Sequence, residues 1–162
     1  MLFSSGPFPY AEVVSKKSAK IAALIESCRG RDLPAHYFGY FECFNRGMFY
    51  EAHDVLEELW LPSRGGPDDA FFKGLIQFAG AFVHLQKHSA KYQRLKPAAV
   101  LFRLARANLR KYPPLHQRLN LREVVGIADD WISRLEETRY EENPFSGENA
   151  PRIHLSERGE PD

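Results

Sequence analysis

A histidine, a glutamate and a tryptophan stand at positions 53, 57 and 60, inside the run FNRGMFYEAHDVLEELW from Phe44 to Trp60. On a helix each residue advances about 100°, so with His53 at zero Trp60 falls about 20° to one side and Phe49 about 40° to the same side. Leu56, Ala52 and Leu59 continue that apolar arc. Asp54, Glu58 and Glu51 fall on the far side as a solvated face, and Glu57 sits on the boundary, about 40° from His53. Residues four apart are neighbours on a helix, so His53 and Glu57 can touch each other or share a third object. Imidazole and carboxylate at this spacing can ligate one ion, or a carboxylate can fix the tautomer of a buried histidine. Trp60 lines the same face.

Two ligands do not hold a metal tightly. A second polar stripe could supply the rest. With Gln77 at zero on the following helix, His84 lies at about −20°, His88 at about 20°, and Gly74 and Gly80 at about ±60°. His53, Glu57, His84 and His88 are therefore the candidate ligands of a divalent ion (Zn, Fe or Mn) and hydrolysis is the chemistry such a site would support. Gln77 and Asn45 are expected to line it. Without a metal, His53 oriented by Glu57 could act as a general base. The bland expectation is a hydrogen-bonded core histidine and a core tryptophan. No nucleophilic serine elbow, phosphate loop or dinucleotide fingerprint names a reaction.

These residues need helices to position them, and the pattern supplies about six. Helical spacing predicts a first helix from Tyr10 to Ser27. Pro34 suits the first turn of a second, Ala35 to Asn45. Asn45-Arg46-Gly47 forms a short turn into a third, Met48 to Trp60, with Pro62 helping to end it. A fourth, Asp68 to Lys91, is apolar almost all round and is expected at the centre. A fifth runs from Pro97 to Lys111 and ends at Pro113-Pro114. In the sixth, Asn120 to Arg139, Asn120 and Glu123 make a capping-box pattern. No stretch reads as a strand. The expectation is an all-α, compact bundle in a single domain over residues 9–140, with a loose leader at 1–8 and a flexible tail at 141–162 rich in Pro, Gly, Ser, Asn and acids.

The 162 residues fit one domain with a sizeable core, and 44% hydrophobic with 27% charged residues is an ordinary globular composition. Cys28 and Cys43 form neither a CxxC pair nor a zinc cluster, which fits a reducing, cytoplasmic setting. No signal peptide is legible, and the longest apolar stretch, Gly74 to Val83, is too short to span a bilayer. The net charge of +1 conceals a dipole: Lys87 to Arg122 holds ten Lys or Arg and no acid, leaving 12 basic against 21 acidic residues elsewhere. Arg103, Arg106 and Arg110 form a stripe that could meet an acidic protein partner, a phosphate, nucleic acid or a second copy of the chain. A helix-turn-helix reading of the second and third helices fails, because Glu51, Asp54 and Glu58 would face the phosphate backbone. Sequence-specific DNA binding is therefore not expected.

The central run resembles the bacterial and archaeal proteins known as domain of unknown function 309. Their His-x-x-x-Glu-x-x-Trp motif corresponds to His53, Glu57 and Trp60. FNRGMFYEA resembles the family's Phe-Asn-x-Gly approach, and GLIQFAGAFVHL its Gly-leading apolar helix, so the likeness covers about Ala35 to Lys91. The resemblance implies a compact α-helical bundle and a motif that binds metal. Gln77, His84 and His88 enter only through the helical wheel. Two functions follow as alternatives: a His/Glu metal site acting on an unknown small molecule, or a non-enzymatic interaction protein whose His–Glu pair is structural.

Overall fold

The computed structural model describes residues 15–157. The chain forms an all-α bundle: α1 Ser15–Ser27, α2 Ala35–Asn45, α3 Phe49–Ser63, α4 Asp69–Lys87, α5 Leu95–Leu109 and α6 Leu121–Glu137. The expected helical residues 10–14 and the leader lie outside the described residues. No helix among those described is long and apolar enough to cross a membrane.

The α2–α3 turn follows from Gly47, whose φ of +75° lets the Met48 N–H reach back to the Cys43 carbonyl at 2.9 Å. Two helices joined so tightly must lie side by side, and both pack on the apolar α4. Phe44 of α2 is the meeting point: its ring lies 4.9 Å from that of Phe49 on α3, and 5.5 and 5.6 Å from those of Phe78 and Phe82 on α4. Buried Tyr40 satisfies its hydroxyl on the Leu75 carbonyl of α4, at 2.7 Å. On the other side of α4, Gly74 and Gly80 bring α5 close. A Cβ at Gly74 would stand 3.0 Å from Leu109, and one at Gly80 would stand 3.2 Å from Leu101. α6 covers α5, with Trp131 reaching through to Phe82. Half of the expected capping box forms: the Glu123 N–H donates to Asn120 Oδ1 at 3.2 Å.

Four expectations are corrected. Pro62 lies inside the last turn of α3, which ends one residue later at Ser63; a proline so near the C-terminus removes only one helical bond. α4 stops at Lys87, because His88 is already extended and its Nδ1 accepts the Arg94 N–H at 3.0 Å. A short antiparallel hairpin, Leu115–His116 (β1) with Leu119–Asn120 (β2), occupies a stretch read as loop. Its two-residue turn puts Gln117 and Arg118 at φ of 49° and 62°, a conformation that normally selects Asn or Gly. Tertiary bonds override that preference: Tyr37 donates to the Gln117 carbonyl, and Arg118 grips Asp32 at 2.9 and 3.0 Å.

The fourth concerns the C-terminal segment. Read from composition as a flexible tail, it packs on the bundle through residue 157; residues 158–162 lie outside the described residues. Ile153 is fully buried. Phe145 packs against Phe49, Phe82 and Trp131. The side chain of Asn143 donates to the Leu85 carbonyl at 2.9 Å.

Candidate functional site

α3 places His53 as the wheel requires, on the apolar face and only 2% exposed. The ring lies nearly parallel to that of Tyr50, centroids 6.2 Å apart, and Nδ1 meets Asp54 Oδ1 at 3.1 Å. Among the described residues, the carboxylate at hydrogen-bond distance from His53 is thus the next residue in sequence, not the one a turn away. Glu57 is half-buried and makes no hydrogen bond among the described residues. Burial raises its pKa above the ordinary 4.5; the nearby His53 opposes that rise and Asp54 adds to it. His53 and Glu57 therefore sense each other electrostatically, as their spacing implies.

Trp60 does structural work. Its indole N–H donates to Asp69 Oδ1 at 2.8 Å, and the Gly65 N–H donates to Asp69 Oδ2 at 2.8 Å. Those two bonds, the Gly65 bond first, hold the Asp69 carboxyl below its ordinary 3.8. They tie the end of α3 to the start of α4.

The second half of the expected metal site is not assembled around His53. The α4 residues that touch α3 or its entry turn include Asp69, through Trp60; Phe82, through Phe49; Gln86, which donates to the Gly47 carbonyl; and Lys87, over the Tyr50 ring. They lie about 80° to 180° around α4 from Gln77. The Gln77 stripe faces α5 instead: Gln77 is buried and its Oε1 accepts from Asn108 Nδ2 at 2.8 Å. Small residues beside a glutamine mark a close helix seam here, not a ligand pocket. Height separates the histidines as well. The Phe49–Phe82 and Trp60–Asp69 contacts put His53 level with the middle of α4. His84 lies in the last turn of α4, and His88 lies just beyond its end. Among the described residues no three His, Cys, Asp or Glu side chains gather where they could hold a metal ion.

Two further assignments move. Asn45 lines no pocket with His53. Its side chain donates to the Ile153 carbonyl and accepts from the Ile153 N–H, both at 2.8 Å, as a strand partner would. The arginine stripe is paired within the molecule, because α6 sets acids opposite it. Arg106 pairs with Asp129 at 2.6 Å, Arg110 with the same carboxylate at 3.7 Å, and Arg103 with Glu136 at 3.2 Å and with the Tyr140 hydroxyl. These acids recur at helical spacing on α6, a signal the sequence carried.

A polar cluster that spacing did not reveal surrounds the start of α4. Asp68 Oδ1 lies 2.7 Å from His116 Nε2, and its Oδ2 accepts from the Gln117 side chain at 3.0 Å. The Tyr112 hydroxyl donates to the Pro67 carbonyl and accepts from the Phe71 N–H, acting as an external cap for α4. The partners are more than 40 residues apart in sequence, so no local pattern announces them.

Neither a curated protein nor a solved structure matches the chain. A family model does, over residues 37–94, which begin in α2, contain α3 and α4 whole and end at the residue before α5. Over that stretch, the chain is similar to the family described as Domain of unknown function (DUF309).

Proposed function

We propose that His53 and Glu57 form a polar site on α3 that binds a small molecule and exchanges a proton with it. The observation that carries this reading is the state of Glu57: a half-buried carboxyl beside an imidazole, its pKa raised by burial and no hydrogen bond offsetting the cost. A carboxyl shifted toward neutrality, next to a histidine oriented by Asp54, is the pairing that general acid–base chemistry uses. Glu57 would give the proton and His53 would take it. A structural pair would instead be expected to satisfy the carboxylate directly.

Among the described residues no three His, Cys, Asp or Glu side chains gather where they could hold a metal ion, so no step is assigned to a Zn, Fe or Mn ion. The reading is tested in two measurements. Elemental analysis of untagged protein should find no stoichiometric metal; near-stoichiometric metal lost in His53→Ala would overturn the metal-free site. Thermal melts should show Glu57→Gln at least as stable as the parent. A clear loss of stability would make the pair structural and sink the proposal.

A further inference from the structure

Eight of the ten cations between Lys87 and Arg122 divide into two groups. Arg103, Arg106 and Arg110 pair with two α6 carboxylates, Glu136 and Asp129, and Arg118 pairs with Asp32. At the other end, on the turn from α4 to α5, Lys87, Lys91, Arg94 and Lys96 have no carboxylate partner among the described residues. Lys87 and Lys91 rest over the rings of Tyr50 and Tyr92, at 5.0 and 5.5 Å.

The turn is folded so that two of these charges, Arg94 and Lys87, act on His84. His84 and His88 are one helical turn apart, and the Arg94 N–H donates to His88 Nδ1. Arg94 is brought close enough to act on His84. Burial first, then the charges of Arg94 and Lys87, keep the His84 imidazole below its ordinary pKa; no carboxylate counters them. His84 Nδ1 and Arg94 Nε are both enclosed and lack a hydrogen-bond partner among the described residues. Each such atom costs about 1–3 kcal/mol. Both can donate, so each would be satisfied by an acceptor bearing negative charge. Arg94 is itself partly exposed, and rotation about its stem turns the guanidinium edge toward an arriving anion.

We propose that the α4–α5 turn binds the phosphate group of a small ligand, held by the Arg94 guanidinium edge and the His84 imidazole and surrounded by Lys87, Lys91 and Lys96. The planar Arg fork matches phosphate oxygens, and several unneutralised cations suit a dianion better than a single carboxylate. The site lies at the far end of α4 from Trp60 and does not depend on the His53–Glu57 reading.

The test follows the His84 ring by NMR while inorganic phosphate is added at constant ionic strength. The His84 resonances should shift saturably, and its titration midpoint should rise. Acetate and chloride should leave it in place. Arg94→Gln should weaken phosphate binding by about tenfold or more, the loss expected for a charge-assisted hydrogen bond. Arg94→Lys, which keeps the charge and loses the fork, should weaken it as well. Arg103→Gln, on the paired part of α5, should not. An unsaturable response, an equal response to acetate, or unweakened binding by Arg94→Lys overturns the site. Should Arg94→Gln fail to fold, the wild-type titration with its acetate arm decides alone.

Discussion

Replacing Asn45 by Ala removes both bonds that fasten Ile153 to the end of α2. The molecule then has two options. If the segment stays, the Ile153 N–H and C=O lose their partners beneath a fully buried side chain, at about 1–3 kcal/mol each. If it lifts away, it forfeits the burial of Ile153, about 1.5–3 kcal/mol, together with the bonds between Ser156 and Arg118. The chain takes the cheaper route, so Asn45→Ala should cost about 2–3 kcal/mol in urea denaturation. For a domain of this size that is a fall in Tm of about 5–10 °C. Amide exchange distinguishes the routes, because the Ile153 amide loses protection in both while the Ser156 amide, bonded to the Arg118 carbonyl, loses it only if the segment lifts. Truncation after residue 141 should make Asn45→Ala nearly silent, since both act on one contact. A stability change under about 0.5 kcal/mol with Ile153 still protected would refute the clamp.

Other outcomes follow from the same geometry. Glu57 has a raised folded pKa, so its contribution to stability is full below the ordinary 4.5 and is lost as pH rises through the folded value; Glu57→Gln should abolish that decline in pH-dependent melts. Asp69 has the opposite sign. Its depressed pKa contributes stability above 3.8 that disappears as pH falls through the folded value. Trp60→Phe should shrink that acid sensitivity and cost about 1 kcal/mol in denaturation. Gly74→Ala forces a methyl to 3.0 Å from Leu109 and should destabilise by about 1–3 kcal/mol; Gly126→Ala, with open space around it, should not. The Cys43 thiol, buried and pushed up to about 12, should react with thiol reagents only at the rate of unfolding.

Periodicity carried the helices because each buries a continuous face, and a face recurs every 3.6 residues or so. The central place of α4 was legible for the same reason. Periodicity says which residues share a side, not which neighbour that side meets. The Gln77 stripe was correctly drawn and wrongly aimed: its flanking glycines admit α5, and α3 lies elsewhere around the helix. Composition misled at the C-terminal segment, where few residues do the fastening and Asn45 supplies the partner from 108 residues away. The hairpin turn at Gln117 and Arg118 was hidden because its conformation is imposed by Tyr37, Asp32 and Asp68, none of them local.

The Gln77–Asn108 bond has a bearing on how α5 finds its place. Leucines and alanines along a helix seam are nearly interchangeable, so an apolar interface alone would tolerate sliding. A slip of one turn, about 5.4 Å, would leave both amides facing hydrocarbon at about 1–3 kcal/mol each. One buried amide pair thus selects a single alignment. That alignment also brings Arg106 opposite Asp129 and Arg103 opposite Glu136, so the choice made at one seam is handed on to the next.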